Sequence, residues 1–546
     1  MRKCFLLKLT ALSLTLAVSF AFSSCSDDKD NEEVEHKTTN IDDLLKASKA
    51  SVHVEDVGVG NLFDDYKEVI KKLSASNDAE DQMELKIYQN KLAELEKYCE
   101  HKSDSVKEAD PKGFNHALDS LKSLDPANSL MAGVGQIFGT YGWATLLYSD
   151  LGADGKIRTM SMLVIYPVNC FCDLNAEHVI LCPHWTIAGD DERPTAFVDS
   201  SGFEYNSDNS NVMAGEWAAF DEYLVIMPDY EGYGSSKDVP HPYLMREVQA
   251  RQCIISLLMG IDWFTADSDE WGGQGHDENI DDDYKIVIEG FSQGGAVSAA
   301  TYRYYLEHKN ESWAKNLPIA GAVCGDGPHD PYATLKYYCT TNYVAMPVAP
   351  AMVLKGMCDY DPEMIAAKCT PADFCNAGFV KSGIFEAIAS KKYSTDQCSD
   401  FALNYAKEHP DEIKLDKNGH LTADQMLNEA AFNYFLNGKL IKGANYQKLA
   451  LLKKCLEKNS VAYNFIPPEG AHFTFFHSDE DKVVPYDNYL AMKKAWGTNK
   501  LCGITYIGEG KTDHVKMGTN FFKDFHDDYV EDILDGHWKS GEKSVP

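Results

Sequence analysis

Apolar positions follow three regimes along this chain. Between Leu12 and Phe22 they form a short run broken only by small polar residues, behind Arg2, Lys3 and Lys8. That is the length and flank of a secretory signal rather than of a membrane-spanning helix. From Ile41 to about Asp125 they recur every three or four residues among Lys and Glu, most clearly over Asp64–Ser74 and Glu80–Cys99. This spacing predicts a helical N-terminal layer. Near Gly133 the pattern changes. Ala144–Tyr148, the turn Gly152–Gly155 and Ile157–Pro167 predict a β-hairpin. Short apolar strands are predicted at His178–Cys182, Tyr223–Met227, Lys285–Glu289, Ile319–Cys324, Phe473–His477 and Leu501–Ile507. Helices are predicted at Tyr243–Phe264, Gln293–Glu307, Asn488–Trp496 and Gly518–Leu534. Such alternation predicts an α/β fold with a mostly parallel sheet covered on both faces. It is interrupted between Cys324 and Phe473 by a stretch rich in helix formers, Met, Tyr and Cys, which reads as a helical insertion folded over the sheet.

Composition adds two constraints. With 44% hydrophobic residues the 546-residue chain has ample material for a core, which excludes a mostly disordered protein. It carries 84 acidic against 51 basic residues, a formal charge of −33, which argues against nucleic acid or an anionic membrane surface as partner. The end of the apolar run, Phe22-Ser23-Ser24-Cys25, resembles a bacterial lipoprotein signal, although Phe22 stands where leucine is usual. The resemblance implies removal of residues 1–24 and lipidation of Cys25, so that the membrane is met only through an N-terminal anchor. The acidic stretch Ser26-Asp27-Asp28-Lys29-Asp30 is similar to the export tag of Bacteroides-type surface lipoproteins. An outer-membrane or cell-surface location is therefore expected, with a plain signal peptide and a periplasmic or secreted protein as the alternative.

Setting aside Cys4 and Cys25, thirteen of the fifteen cysteines remain, so at least one thiol is unpaired. Cys170 and Cys172 neighbour one another. Cys358, Cys369, Cys375 and Cys398 crowd one region, either as disulfides or as small buried apolar groups. No Cys or His spacing suits zinc. Asp416-Lys-Asn-Gly419 has the look of a calcium loop but lacks its ligands at Lys414 and Gln425, and reads as a turn.

The chemistry concentrates in Lys285-Ile-Val-Ile-Glu-Gly-Phe-Ser-Gln-Gly-Gly, which contains Gly290-x-Ser292-x-Gly294 between a predicted strand and a predicted helix. A tight turn there leaves no room for Cβ atoms, lifts Ser292 clear of the sheet, and sets the Gln293 N–H at a helix N-terminus where an oxyanion is favoured. A phosphate-gripping loop is the competing reading, but the P-loop lysine is missing. A serine nucleophile needs a base, and the base an orienting acid. After the strand at Phe473, an acidic turn offers Asp481, with Asp479 as near rival and Asp326 as a third candidate. After the last strand comes His514, with a helix expected about four residues later. His526 and His537 fall inside or after that helix and read as surface residues. A second oxyanion donor is expected from Ile180-Leu-Cys-Pro-His-Trp-Thr, at the backbone of Trp185 or Thr186, although Trp185 also suits plain packing.

Over about residues 140–546 these features resemble the α/β-hydrolase superfamily, most of all its secreted bacterial and fungal lipases and esterases. Pro228-Asp-Tyr-Glu-Gly-Tyr-Gly-Ser-Ser236 and His241-Pro-Tyr243 are similar to segments of such enzymes. The resemblance implies Ser292 as nucleophile, Asp481 as acid and His514 as base. One departure is His184-Trp185 where many relatives carry His-Gly. It also implies a cap in the insertion, in which Met346, Met352, Met357, Tyr343 and Phe385 either line an acyl pocket or hold the cap together. The expected organisation is 1–24 signal, 25–130 acidic tether and helical segment, 131–325 core, 326–470 cap and 471–546 core. The expected activity is a Ser-His-Asp hydrolase of carboxylic esters, its substrate a small-molecule, lipid or glycan ester, with no cofactor or metal required. A peptidase or amidase on the same scaffold is the runner-up, and a non-catalytic ligand-binding lipoprotein the third reading.

Overall fold

The computed structural model describes residues 40–76, 79–109, 111–112, 114–115, 138–168, 175–199, 202–203, 216–497, 502–507, 513–522, 526–537 and 541–542. The signal, Cys25, the acidic stretch 26–30, and Cys170 and Cys172 lie outside them. Among the described residues no helix is long and apolar enough to cross a membrane.

Ten strands form the main sheet: β1 His53–Asn61, β2 Thr140–Leu151, β3 Ile157–Pro167, β4 His178–Leu181, β5 Tyr223–Pro228, β6 Ile286–Phe291, β7 Ile319–Gly325, β8 Ala471–Phe476, β9 Cys502–Ile507 and β10 Gly541–Glu542. Their order is β1-β2-β3-β5-β4-β6-β7-β8-β9-β10. The first pairings, β1–β2, β2–β3 and β3–β5, are antiparallel. From β5 onward every pairing is parallel.

Parallel strands covered on both faces are largely apolar on both, and these are, with Glu289 and Thr474 as buried exceptions. Val179 and Leu181, Ile286 and Ile288, and Phe473 and Phe475 enter one core with the helices Arg246–Thr265, Gln293–Glu307 and Asp487–Trp496. Their neighbours Ile180, Val287, Val323 and Phe476 enter a second core with the helices Leu62–Ser74, Ala79–Ala109, His514–Asn520 and His526–Leu534. Each such side chain contributes about 1.5–3 kcal/mol of burial.

Two expectations are corrected. The segment from Ile41, expected to be helical throughout, contains β1 between the helices Ile41–Ser51 and Leu62–Ser74. Val57 and Val59 alternate there with Gly58 and Gly60, and a Cβ on either glycine would sit within 2.3 Å of the Trp143 or Tyr141 ring. Those rings fill the space a side chain would need, and the strand pairs antiparallel with β2, so this segment extends the sheet itself. The last helical stretch, expected to start at Gly518, starts at His514, and His526–Leu534 within the expected span is helical. Asp513 caps the start at His514, accepting from the Lys516 N–H.

The insertion folds as a set of helices, among them Pro331–Thr341, Val348–Tyr360, Thr395–Glu408 and Tyr446–Lys458, around a third core. Tyr243, Leu244 and Ala296 of the body belong to that core. Cys358, Cys369, Cys375 and Cys398 sit in it as buried free thiols, so packing and not cross-linking explains their clustering.

Candidate active site

β6 ends in a turn so sharp that Ser292 adopts φ +55°, a left-handed value unusual for a side chain-bearing residue. The serine is held there from both sides. Its N–H donates to the Gly325 carbonyl at 2.9 Å and its carbonyl accepts from Ala296 at 3.1 Å. A Cβ at Gly290 would lie 2.6 Å from the Gly294 backbone, and one at Gly294 2.1 Å from the Pro183 carbonyl. The glycines therefore let the turn close and let the loop after β4 lie against it.

Ser292 meets an imidazole that enters from the far end of the chain. His514 Nε2 is 2.9 Å from Ser292 Oγ. On its other side, His514 Nδ1 is 2.5 Å from Asp481 Oδ2. All three residues are buried. The other carboxylate oxygen of Asp481 accepts the N–H groups of Val483 and Val484 at 2.8 and 2.9 Å, which fixes its orientation. Of the two rival acids, Asp479 is exposed. Asp326 is buried beside Asp481, and its Oδ1 accepts the Ser478 N–H at 3.0 Å.

Two carboxyls in one dry place do not both ionise. Burial, then repulsion from Asp481, pushes the Asp326 carboxyl well above the usual range. Burial acts on Asp481 in the same direction, but the charge and hydrogen bond of His514 outweigh it and bring Asp481 below its ordinary value. Asp326 is thus the neutral partner and shares its proton with Asp481. These two acids and His477 have the donor types of a cation site. The imidazole of His514 already takes Asp481, and Asp326 holds a proton, so the cluster suits proton chemistry better.

The loop after β4 is pinned by its neighbours. The Tyr230 hydroxyl donates to the His184 carbonyl at 3.1 Å, and Thr186 Oγ1 meets the Tyr243 hydroxyl at 2.7 Å. Among the described residues nothing accepts the backbone N–H of Gln293, Trp185 or Thr186. Burial holds the His184 imidazole down to about 4, so it is neutral. Sequence reasoning assigned no role to the link between Gln293 and His241, whose side-chain nitrogens lie 2.7 Å apart. The His241-Pro-Tyr243 segment was its visible trace.

An apolar cavity opens between the acid loop and the cap, lined among others by Tyr243, Leu335, Tyr338, Leu354, Val483 and Val484. None of the five residues suggested for an acyl pocket lines it. Met352 and Met357 are packed inside the cap core, and Met346 and Phe385 against it.

The wider comparisons concern the fold. No family model matches the chain, and no curated protein matches its sequence. Solved structures do match. A putative hydrolase from Legionella pneumophila superposes with a TM-score of 0.51 at 16% identity, over 75% of this chain and 93% of its own. The rice cell wall degrading esterase LipA from Xanthomonas oryzae, in a ligand-bound form, gives 0.50 at 15% identity, over 78% of this chain and 96% of its own. This is the α/β-hydrolase fold. On that fold Ser292 occupies the tight turn after the central parallel strand β6.

Proposed function

We propose that this protein is a serine hydrolase of carboxylic esters. The observation that carries the reading is the 2.9 Å contact between Ser292 Oγ and a His514 imidazole whose other nitrogen faces a buried carboxylate. In the proposed cycle Ser292 Oγ attacks the ester carbonyl while His514 Nε2 takes its proton. Asp481 keeps that imidazole protonated at Nδ1 and stabilises the imidazolium. The backbone N–H groups of Gln293 and of Trp185 or Thr186 receive the oxyanion. His514 returns the proton to the leaving alcohol, then activates the water that releases the acid. The apolar cavity beside Val483 and Val484 would receive the acyl portion. The names of the two structural neighbours, a hydrolase and an esterase, agree with this reading but bear on the fold alone. By its N-terminal sequence the protein is proposed to be exported and anchored at the surface through Cys25.

A panel of chromogenic esters and aminoacyl amides, run on wild type and Ser292→Ala, tests the activity. Esters should be turned over, and the variant should lose about 10⁴-fold or more in kcat. Turnover of amides alone would instead make the protein an amidase, and turnover of neither would end the enzyme reading.

A further inference from the structure

Lys391 follows the helix Ile384–Ser390 at φ +58°, and its carbonyl accepts the Asp190 N–H at 2.9 Å. The residue is only 7% exposed. Its ammonium lies 4.2 Å from the centre of the Tyr233 ring. Among the described residues no carboxylate pairs with it and no acceptor takes its protons. The nearby Asp190 is engaged elsewhere, with Arg193 and the Gly234 N–H. Burying a cation without a close counter-charge is unfavourable, so an anion seated against Lys391 would be favoured there. Burial, then the neighbouring Lys355 amine, holds the Lys391 amine down to about 7.

Both lysines line one cavity of about 180 Å³ between the loop Asp238–His241 and the cap. Lys355 already pairs with Asp359 at 2.8 Å. Most of the remaining wall is apolar: Val239, Pro240, Met352, Ile388 and Ala389. Asp238, the one carboxylate in the lining, is exposed to solvent. His241 completes the lining and touches the Gln293 side chain, next to Ser292.

We propose that this cavity binds a small organic carboxylate, its charged head on Lys391 and Lys355 and its apolar body against Met352, Ile388 and Pro240. The unpaired ammonium selects an anion, and the apolar wall selects one with a hydrocarbon part. Carboxylates are also what ester hydrolysis releases, but the site stands apart from that reading, because occupancy requires neither Ser292 nor turnover.

The test is calorimetric titration of the full chain, as wild type and as Ser292→Ala, with hexanoate, benzoate and, separately, inorganic phosphate. Hexanoate or benzoate should bind saturably to both proteins and raise their melting temperature. Lys391→Met should weaken that binding by about tenfold or more, and should melt higher than wild type without ligand because the buried charge is gone. Met352→Trp, which fills the cavity and spares both amines, should also block binding. Phosphate binding as well as the carboxylates do would overturn the organic assignment. Carboxylate binding that is absent from wild type, or unaltered in both cavity variants, would overturn the site. Binding by a protein that turns over no ester would sink the hydrolase reading and leave this one standing.

Discussion

Two buried carboxyl groups, Asp326 and Asp481, meet behind one imidazole, and their unequal surroundings divide the work. Asp481 receives two backbone N–H groups and the His514 ring, whereas Asp326 accepts the Ser478 N–H and faces the Asp481 carboxylate with no cation beside it among the described residues. The proposed roles differ accordingly. Asp481→Asn should lower kcat on a chromogenic ester by about 10⁴-fold, because an amide stabilises the wrong tautomer of His514. Asp326→Asn keeps an acceptor for Ser478 and places a donor toward Asp481, so its kcat should stay close to wild type. The reverse outcome would move the acid role to Asp326. Sequence alone held these acids and Asp479 as alternatives for a physical reason. An acidic turn of five residues does not disclose which side chain rotates inward, and here Asp479 faces solvent while Asp481 is buried.

Elements were most legible where burial fixes the pattern. The helix Gln293–Glu307 and the apolar strands follow directly from their sequences, because a strand buried on both faces is built mostly of apolar residues. β1 was hidden because its pattern is Val and Gly among acidic residues, and its partners are aromatic rings supplied by β2. The start of the helix at His514 was hidden too, its signal being the single cap Asp513. Nor does spacing bring His514 to Ser292, since 222 residues separate them. The turn after β6 makes its own prediction. In Gly294→Ala the new methyl would press on the Pro183 carbonyl, a backbone atom that cannot swing aside, so the loop carrying Trp185 and Thr186 must move. Ester kcat should fall by about 10²–10³-fold, as when one oxyanion donor is lost. An unchanged kcat in a folded variant would show that this loop donates nothing to the reaction.

The N-terminal helices and strand are bound into the whole molecule, and one bond in that union depends on pH. Asp65, mostly buried, accepts the Tyr141 hydroxyl at 2.8 Å, and burial raises its carboxyl to about 7. A folded-state value above the unfolded one means that the folded protein holds a proton the unfolded chain has released. The stabilisation is therefore full below about pH 4 and is lost as pH rises toward 7. The loss should amount to a few kcal/mol, about 4 at most. Asp65→Asn cannot ionise, so its urea midpoint should gain on wild type between pH 4 and pH 8. A constant difference across that range would show that Asp65 is already ionised in the fold. β1 also limits how the chain can be processed. Trimming that stops before Asn40 leaves every described contact in place. Trimming past Asn61 would uncover the aromatic rings of Tyr141 and Trp143 and open the edge of β2 to pairing with another chain. Cleavage before Asn40 should therefore give a product that stays monomeric, and cleavage past Asn61 one that self-associates through the bared edge of β2.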